Sequence, residues 1–254
     1  MPELKILIVD DEAPARARLR ELLGDIRDEV PNAVVGEAEN GVAAIALLDG
    51  AAPDVVLADI RMPKMDGIEL ARHLTTLPNP PAVIFATAYD AYAMQAFDQN
   101  AVDYLLKPVR AARLAAALGK ARMLHPPAPE MLAALQPAGR SHLSCHERGR
   151  LLLVPVADIL YLKADLKYVT ARTGEREYLL DESLLHLESE FAERFIRLHR
   201  SVLVAKDAIT GFERNTAEDA DTHWLALLRG VPDRLPVSRR QWPQVKSYAK
   251  QLST

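Results

Sequence analysis

The chain contains one cysteine, Cys145, among 254 residues. A single thiol cannot close an intramolecular disulfide or build a thiolate metal site, and Ser144-Cys145-His146 has no zinc-ligand spacing around it. Disulfide scaffolds and zinc modules are excluded, and Cys145 reads as a buried or half-buried structural thiol. No apolar run approaches the ~20 residues a membrane span needs, and the opening Met1-Pro2-Glu3-Leu4-Lys5 leads to no cleavage site. The expectation is a cytoplasmic protein without membrane contact. Charge of one sign is also scarce. Residues 1–124 hold 13 Lys and Arg against 18 Asp and Glu, and residues 125–254 hold 18 against 17. Composition alone therefore does not suggest a nucleic-acid binder, since domains that live on phosphate contacts usually carry a clear basic excess.

What is present is a folded composition, 49% apolar and 26% charged, in a chain long enough for two domains. In the first half, apolar runs at Leu4 to Val9, Val34 to Ala38, Val55 to Ala58, Val83 to Ala86 and Val102 to Leu106 read as strands. Continuous apolar runs of that length suit a parallel sheet buried on both faces. Helical patterns lie between them, clearest over Ala13 to Leu23 and Arg110 to Leu124, where leucines recur on one face. Five βα units imply a doubly wound α/β fold with a five-stranded parallel sheet.

A proline-rich stretch from His125 to about Arg140 interrupts this pattern and reads as a linker. Beyond it the chain becomes mainly β. Short strands are expected at Ser141 to Cys145, Arg150 to Val154, Ile159 to Lys163, Tyr168 to Arg172, Glu177 to Leu180, Phe195 to Leu198, Val202 to Val204, Ile209 to Arg214 and His223 to Leu228. Arg148-Gly149 and Thr173-Gly174 fit hairpin turns. Two helices are expected, Glu182 to Phe191 and Ser238 to Leu252, the second capped by Ser238 and interrupted or restarted at Pro243.

Asp10 and Asp11 follow the first strand and Asp59 follows the third. A parallel sheet brings such positions to its carboxyl edge, where α/β folds bind ligands. Three converging carboxylates repel one another unless a cation neutralises them, which points to a hard divalent ion, Mg²⁺. Magnesium usually takes one or two carboxylates together with phosphate oxygens, so Asp59 is a candidate nucleophile for a phosphoryl group. Thr87 and Lys107 stand after the fourth and fifth strands and would supply a hydroxyl donor and an ammonium to phosphoryl oxygens. Taken singly, an acid pair after a strand is more often a solvated loop.

This ordered set, with the loop Asp59-Ile60-Arg61-Met62-Pro63-Lys64-Met65-Asp66-Gly67, resembles the receiver domains of two-component response regulators across residues 1–124. The resemblance implies that Asp59 is the phosphoacceptor. It further implies that Asp11, Asp59 and the main-chain carbonyl of Arg61 hold Mg²⁺, with Asp10 acting mainly through water. Thr87 and Tyr104 become a coupled switch pair, with edge-strand packing as the plainer role for Tyr104. Lys107-Pro108 becomes a cis peptide, and Arg61 and Tyr89 positions that tune acyl-phosphate lifetime. Asp66 and Gly67 are expected to form a turn, with Gly67 supplying permissive dihedrals.

In the second half, the segments Asp158 to Thr170, Phe195 to Val204 and Leu235-Pro236-Val237-Ser238-Arg239-Arg240 resemble the LytTR DNA-binding domain in order and spacing, over about residues 141–254. That family inserts loops rather than a recognition helix into successive major grooves. The resemblance assigns DNA contact to Lys167 and Tyr168, to Arg200 and to Arg239, with Arg240 as a phosphate or second base contact. Arginine offers a bidentate fork to guanine, and lysine a point charge to phosphate. The plainer roles are a surface Arg200 paired with Glu193, a packed structural His199, and a Tyr168 in the β core. With Lys167 to Thr170, Arg140-Ser141-His142 and Val237 to Arg240 together, the chain is similar to AlgR-type regulators, although Val204-Ala205 departs from a common Val-Asn.

The leading expectation is a response regulator, not a self-contained enzyme, with a sensor histidine kinase and double-stranded promoter DNA as partners. A homodimer through a face around Ala91 to Phe97, Tyr104 and the last receiver helix would suit paired DNA sites. One alternative is a phospho-switched adaptor for protein or RNA. Another is a phosphatase or phosphotransferase with Asp10 or Asp11 as nucleophile, against which the sequence Asp10-Asp11-Glu12 lacks the usual Asp-x-Asp spacing.

Overall fold

The computed structural model describes residues 3–88, 103–121, 139–165, 168–215 and 223–251. The chain divides into two compact units, Met1–Ser141 and His142–Thr254. The proline-rich linker lies almost wholly outside the described residues, as do Val102, Arg122 to Leu124, Tyr89 and Ala91 to Phe97. No described helix is long and apolar enough to cross a membrane.

In the first unit, β1 (Leu4–Val9), β2 (Asn32–Ala38), β3 (Val55–Ala58), β4 (Ala82–Thr87) and β5 (Asp103–Leu106) form one sheet in the order β2-β1-β3-β4-β5. Every pairing in it is parallel. The apolar runs explain this: all four residues of β3 and five of the six in β1 are buried. Helices α1 (Ala13–Asp25), α2 (Gly41–Ala51), α3 (Gly67–Leu74) and α4 (Ala111–Ala121) accompany the sheet. Leu19, Leu22 and Leu23 of α1 and Leu114, Ala117 and Leu118 of α4 share a core with Ile6, Ile8, Leu57 and Ile84. Asn40 caps α2 by accepting from the Ala43 amide at 2.9 Å, and Asp66 caps α3 by accepting from the Glu69 amide at 2.8 Å. Both satisfy amides that a helix start leaves without partners.

The second unit is built from hairpins. Strands β6 (His142–Glu147) and β7 (Arg150–Pro155) pair alone. Strands β8 (Ile159–Asp165), β9 (Tyr168–Thr173), β10 (Glu177–Leu180), β11 (Phe195–His199) and β12 (Val202–Ala205) form a sheet in the order β10-β9-β8-β12-β11. A third sheet holds β13 (Ile209–Asn215), β14 (His223–Leu228) and β15 (Arg234–Val237). Helix α5 (Leu184–Glu190) precedes β11, and α6 (Trp242–Gln251) closes the described chain. One core gathers Leu162, Ala171, Leu187 and Leu203 with Cys145, whose thiol pKa is raised by burial. The other gathers Leu198, Val204, Ala226, Val237 and Val245.

Hairpins turn at Arg148-Gly149 and at Thr173-Gly174 as expected, while other local expectations are corrected. Arg148 and Gly149 both have positive φ, 52° and 79°, as a type I′ turn requires. Gly174 does not use that region. Its turn is held instead by the Thr173 hydroxyl, which donates to the Arg176 carbonyl at 3.0 Å and accepts from the Glu175 and Arg176 amides. Strand β15 was unexpected because Pro236 interrupts it, but β15 is an edge strand, where a missing N–H is tolerated. Helix α6 starts at Trp242 rather than Ser238, with Pro243 in its first turn, so the proline neither interrupts nor restarts it. Ser238 still caps the turn that opens the helix, its Oγ accepting from the Gln241 amide at 3.3 Å and its carbonyl from the Gln241 and Trp242 amides at 3.0 Å. Trp242 stacks on Trp224 at 4.2 Å and meets Phe212 edge-on, fastening α6 to the third sheet.

One polar tie fixes β5 to α4. The buried Asp103 carboxylate accepts two hydrogen bonds from Arg113 and lies 3.3 Å from Lys120 Nζ, while Arg113 also donates to the Tyr104 carbonyl at 3.0 Å. Burial alone would raise the Asp103 pKa, but the two cations outweigh it and the net shift is downward. A lowered folded-state pKa contributes stability above the unfolded value of about 3.9, which is lost as pH falls through the folded value. Asp103→Asn should cost about 1 to 2 kcal/mol at neutral pH, less than a fully buried pair because Arg113 is partly in water. The cost should shrink toward zero as pH falls from the unfolded value through the lowered folded-state one, as urea unfolding at several pH values would show.

Candidate functional site

At the carboxyl edge of the parallel sheet, Asp10 and Asp11 follow β1, Asp59 follows β3 and Lys107 follows β5. The Lys107 ammonium donates to Asp59 Oδ2 at 2.7 Å and to Asp10 Oδ2 at 2.8 Å. Asp10 is fully buried, Asp59 is largely covered, and Asp11 is exposed. Asp10 also accepts from the Glu12 amide at 3.0 Å, and its carbonyl accepts from Arg16 Nη1 at 2.7 Å. Burial by itself would lower the Lys107 pKa, but hydrogen bonds to Asp10 and Asp59 and their charge reverse this, so the net shift is upward. The ammonium is the local counter-charge for the carboxylates.

Asp10, Asp11 and Asp59 each offer one oxygen, all within 4.8 Å of one another. This all-oxygen set fits a hard divalent cation and matches the acidic cluster typical of a magnesium site. Thr87 is buried at the end of β4, and its carbonyl accepts from the Lys107 amide at 2.8 Å, so the fourth and fifth strand ends are tied together. Tyr104 is half-buried in β5, three residues before Lys107, and the Lys107–Pro108 peptide is cis. Arg61 is exposed, and its amide approaches Asp59 Oδ1 at 3.4 Å. Tyr89 is outside the described residues.

The loop after Asp59 differs from expectation. Lys64, not Gly67, has a left-handed backbone, with φ 68°. Gly67 is required by space: a Cβ there would stand 2.1 Å from the Asp59 carbonyl oxygen. Its amide donates to the Ile60 carbonyl at 2.8 Å, drawing the start of α3 against the phosphoacceptor candidate. Asp66 is a helix cap rather than only a turn residue, and burial raises its pKa.

In the second unit, three sequence-predicted positions meet at one end of the central sheet. Tyr168 stands at the β8–β9 hairpin opposite Asp165 and is 40% exposed. Arg200 lies in the β11–β12 turn, and the neighbouring Ser201 carbonyl accepts from the Ala164 amide at 2.8 Å, joining that turn to the hairpin. The Ser238 amide donates to the Leu198 carbonyl at 2.8 Å, bringing the end of β15 to the same place. Arg200, Arg239 and Arg240 are exposed, and Arg200 and Arg240 line one cleft with His199 and Ser238. His199 Nδ1 lies 2.9 Å from Ser201 Oγ, which gives this histidine a structural part in the turn. Lys167 lies outside the described residues. Sequence reasoning missed Arg16, which reaches the Asp10 carbonyl and Glu37, and the pair Glu188 and Arg197, in which the arginine also reaches the Arg200 carbonyl; no motif marks these contacts.

A second group, Glu182, His186 and Glu190, also brings three possible ligand atoms together. His186 Nε2 lies 3.9 Å from Glu182 and 3.6 Å from Glu190, so these are helix-spaced ion pairs whenever the imidazole is protonated.

Residues 6–119 match the response regulator receiver domain, and residues 149–250 match the LytTr DNA-binding domain. The chain is 43% identical to the "Positive alginate biosynthesis regulatory protein" of Pseudomonas aeruginosa, across 98% of this chain and 100% of that protein. It is 32% identical to the "Sensory transduction protein LytT" of Bacillus subtilis, across 98% of this chain and 97% of that one.

The Gly67 contact is directly testable. Gly67→Ala should cost about 1 to 3 kcal/mol, because the methyl must displace the Asp59 backbone. Gly50→Ala in α2, where a Cβ would meet nothing within 4 Å, should instead be neutral or stabilise by about 0.5 to 1 kcal/mol. Urea midpoints of the two variants would measure the contrast.

Proposed function

The chain belongs to the response-regulator family that joins a receiver to a LytTR DNA-binding domain, and on that premise we propose that phosphorylation of Asp59 by a partner histidine kinase modulates sequence-specific binding to promoter DNA. It is a two-component response regulator with LytTR-type transcription regulation, and its families are not those of an enzyme. The domains assigned are a receiver over residues 1–124, a linker over 125–140 and a DNA-binding domain over 141–254. The observation that carries the reading is the Asp59 carboxylate held at the sheet edge by Lys107, 2.7 Å away, beside Asp10 and Asp11.

In the proposed transfer, a carboxylate oxygen of Asp59 attacks the phosphorus of phosphohistidine. The new O–P bond forms as the P–N bond breaks, and the bonding pair leaves with the imidazole nitrogen. Asp10, Asp11, Asp59 and the Arg61 carbonyl would hold Mg²⁺, with Asp10 acting through water; the ion supplies charge neutralisation for the phosphoryl oxygens. Lys107 adds a second positive charge there. The Thr87 hydroxyl donates to a phosphoryl oxygen, and Tyr104 follows it inward. Hydrolysis of the acyl phosphate resets the site.

For DNA, Arg200 and Arg239 enter the major groove as base readers, Arg240 meets phosphate or a second base, and Lys167 and Tyr168 complete the hairpin contact. The clustering of the described positions at one end of the unit supports this, and it suits a domain with little net charge. Cytoplasmic action, without membrane contact, and homodimerisation on paired sites complete the proposal.

Genomic footprinting with the full-length protein, followed by titration of a recovered duplex, tests the DNA part. Arg200→Ala or Arg239→Ala should weaken binding to that duplex by about 5- to 150-fold, from ~1 to 3 kcal/mol per bidentate contact. Binding to a scrambled duplex should change far less. Equal wild-type affinity for both duplexes would remove the sequence-specific reading and favour an adaptor for protein or RNA.

A further inference from the structure

We propose that Glu188 and Arg197 form a strut that positions the Arg200 turn for DNA recognition, and that neither touches DNA itself. The inference rests on the DNA-binding reading of Arg200. Arg197, on β11, is mostly covered, with a side chain 15% exposed. Its Nε and Nη2 reach Glu188 Oε2 on α5 at 2.9 and 2.7 Å, and its Nη1 donates to the main-chain carbonyl of Arg200 at 2.9 Å. The planar guanidinium thereby joins a helix carboxylate to the backbone of the residue assigned to base contact. Lysine cannot reproduce this, because a single ammonium has no fixed fork spanning the two acceptors.

The turn needs such a tie. The β11–β12 ladder slips just there: Arg197 faces Leu203, but His199 faces Val202. The ladder therefore does not by itself define where residue 200 stands, and a bulged strand re-aims the side chains beside it. The Arg200 guanidinium is exposed and has no protein partner among the described residues, so what the protein fixes is the backbone from which it extends. The Arg197 bond, with the His199 to Ser201 contact at 2.9 Å and the Ser238 amide on the Leu198 carbonyl at 2.8 Å, supplies that constraint. Charge separates the roles further. The Arg197 guanidinium is neutralised by Glu188, whereas Arg200 carries its charge into solvent.

The test uses the full-length protein, its footprinted duplex and a scrambled duplex of equal length. The variants are Glu188→Gln, Arg197→Lys, Arg200→Ala, and Glu188→Gln combined with Arg200→Ala. Glu188→Gln and Arg197→Lys should each lose selectivity between the duplexes by about tenfold, the size of one good base contact. The salt dependence of binding should keep its slope, since no phosphate contact is removed. Glu188→Gln removes a negative charge, so electrostatics alone would strengthen binding to both duplexes, and a fall in selectivity cannot come from that source. Added to Arg200→Ala, Glu188→Gln should cost no further selectivity.

Amide exchange at Ser201, read without DNA, should quicken in Glu188→Gln and Arg197→Lys if the strut holds the turn. Unchanged exchange and selectivity would overturn the proposal. Additive losses in the double variant, or a salt slope reduced by about one in a further variant, Arg197→Gln, that removes the charge, would also overturn it by making the pair act independently of Arg200 or on phosphate. If wild type does not discriminate the duplexes, the DNA reading falls instead, while exchange at Ser201 still decides whether the strut exists.

Discussion

The first unit depends on one ammonium held between two carboxylates. Lys107 Nζ lies within hydrogen-bonding distance of both Asp10 and Asp59, which come from different strands, and a third carboxylate, Asp11, is close by. Such a cluster is costly to assemble without a counter-charge, and the raised pKa of Lys107 records the interaction from the cation's side. Parallel register makes the convergence possible, since the ends of β1, β3 and β5 all open on the same edge. On the proposed reading, a phosphoryl group on Asp59 brings new negative charge to this arrangement. Lys107 must then divide its hydrogen bonds differently, and Thr87 gains a new acceptor. The chemical event and the conformational one share the same few atoms.

The second unit handles charge in the opposite way, by distribution rather than concentration. Its half of the sequence is almost neutral, yet exposed arginines stand where two chain segments meet at one end of a sheet. Many of the remaining cations are already paired: Arg176 with Glu147, Arg197 with Glu188, Arg229 with Asp207 and Arg234 with Glu213. What distinguishes Arg200 is its place on a braced turn with its charge unspent. A count of basic residues cannot detect that property, and this is why net charge was uninformative about DNA.

The parallel sheet was legible because fully buried strands require continuous apolar runs, and β1 and β3 match those runs residue for residue. The acidic edge was legible because Asp10, Asp11, Asp59 and Lys107 follow strands, and Thr87 ends one, in a fixed order. Other features depended on three-dimensional proximity. Gly67 carries no sequence mark of the carbonyl it approaches, so it read as a turn glycine when its constraint is space. Strand β15 was hidden by Pro236, which only edge placement permits. Arg197 looked like any strand arginine, because its partner lies on a separate helix nine residues earlier.

On the proposed reading, the carboxylate cluster makes Asp59 the phosphoacceptor. Intact-mass measurement of the full-length protein after incubation with acetyl phosphate and Mg²⁺ tests it most directly, with Asp59→Asn in parallel. The wild type should gain one phosphoryl group that is labile to mild base, requires Mg²⁺ and is absent from Asp59→Asn. An adduct that persists in Asp59→Asn, or a wild type that stays unmodified, would contradict it.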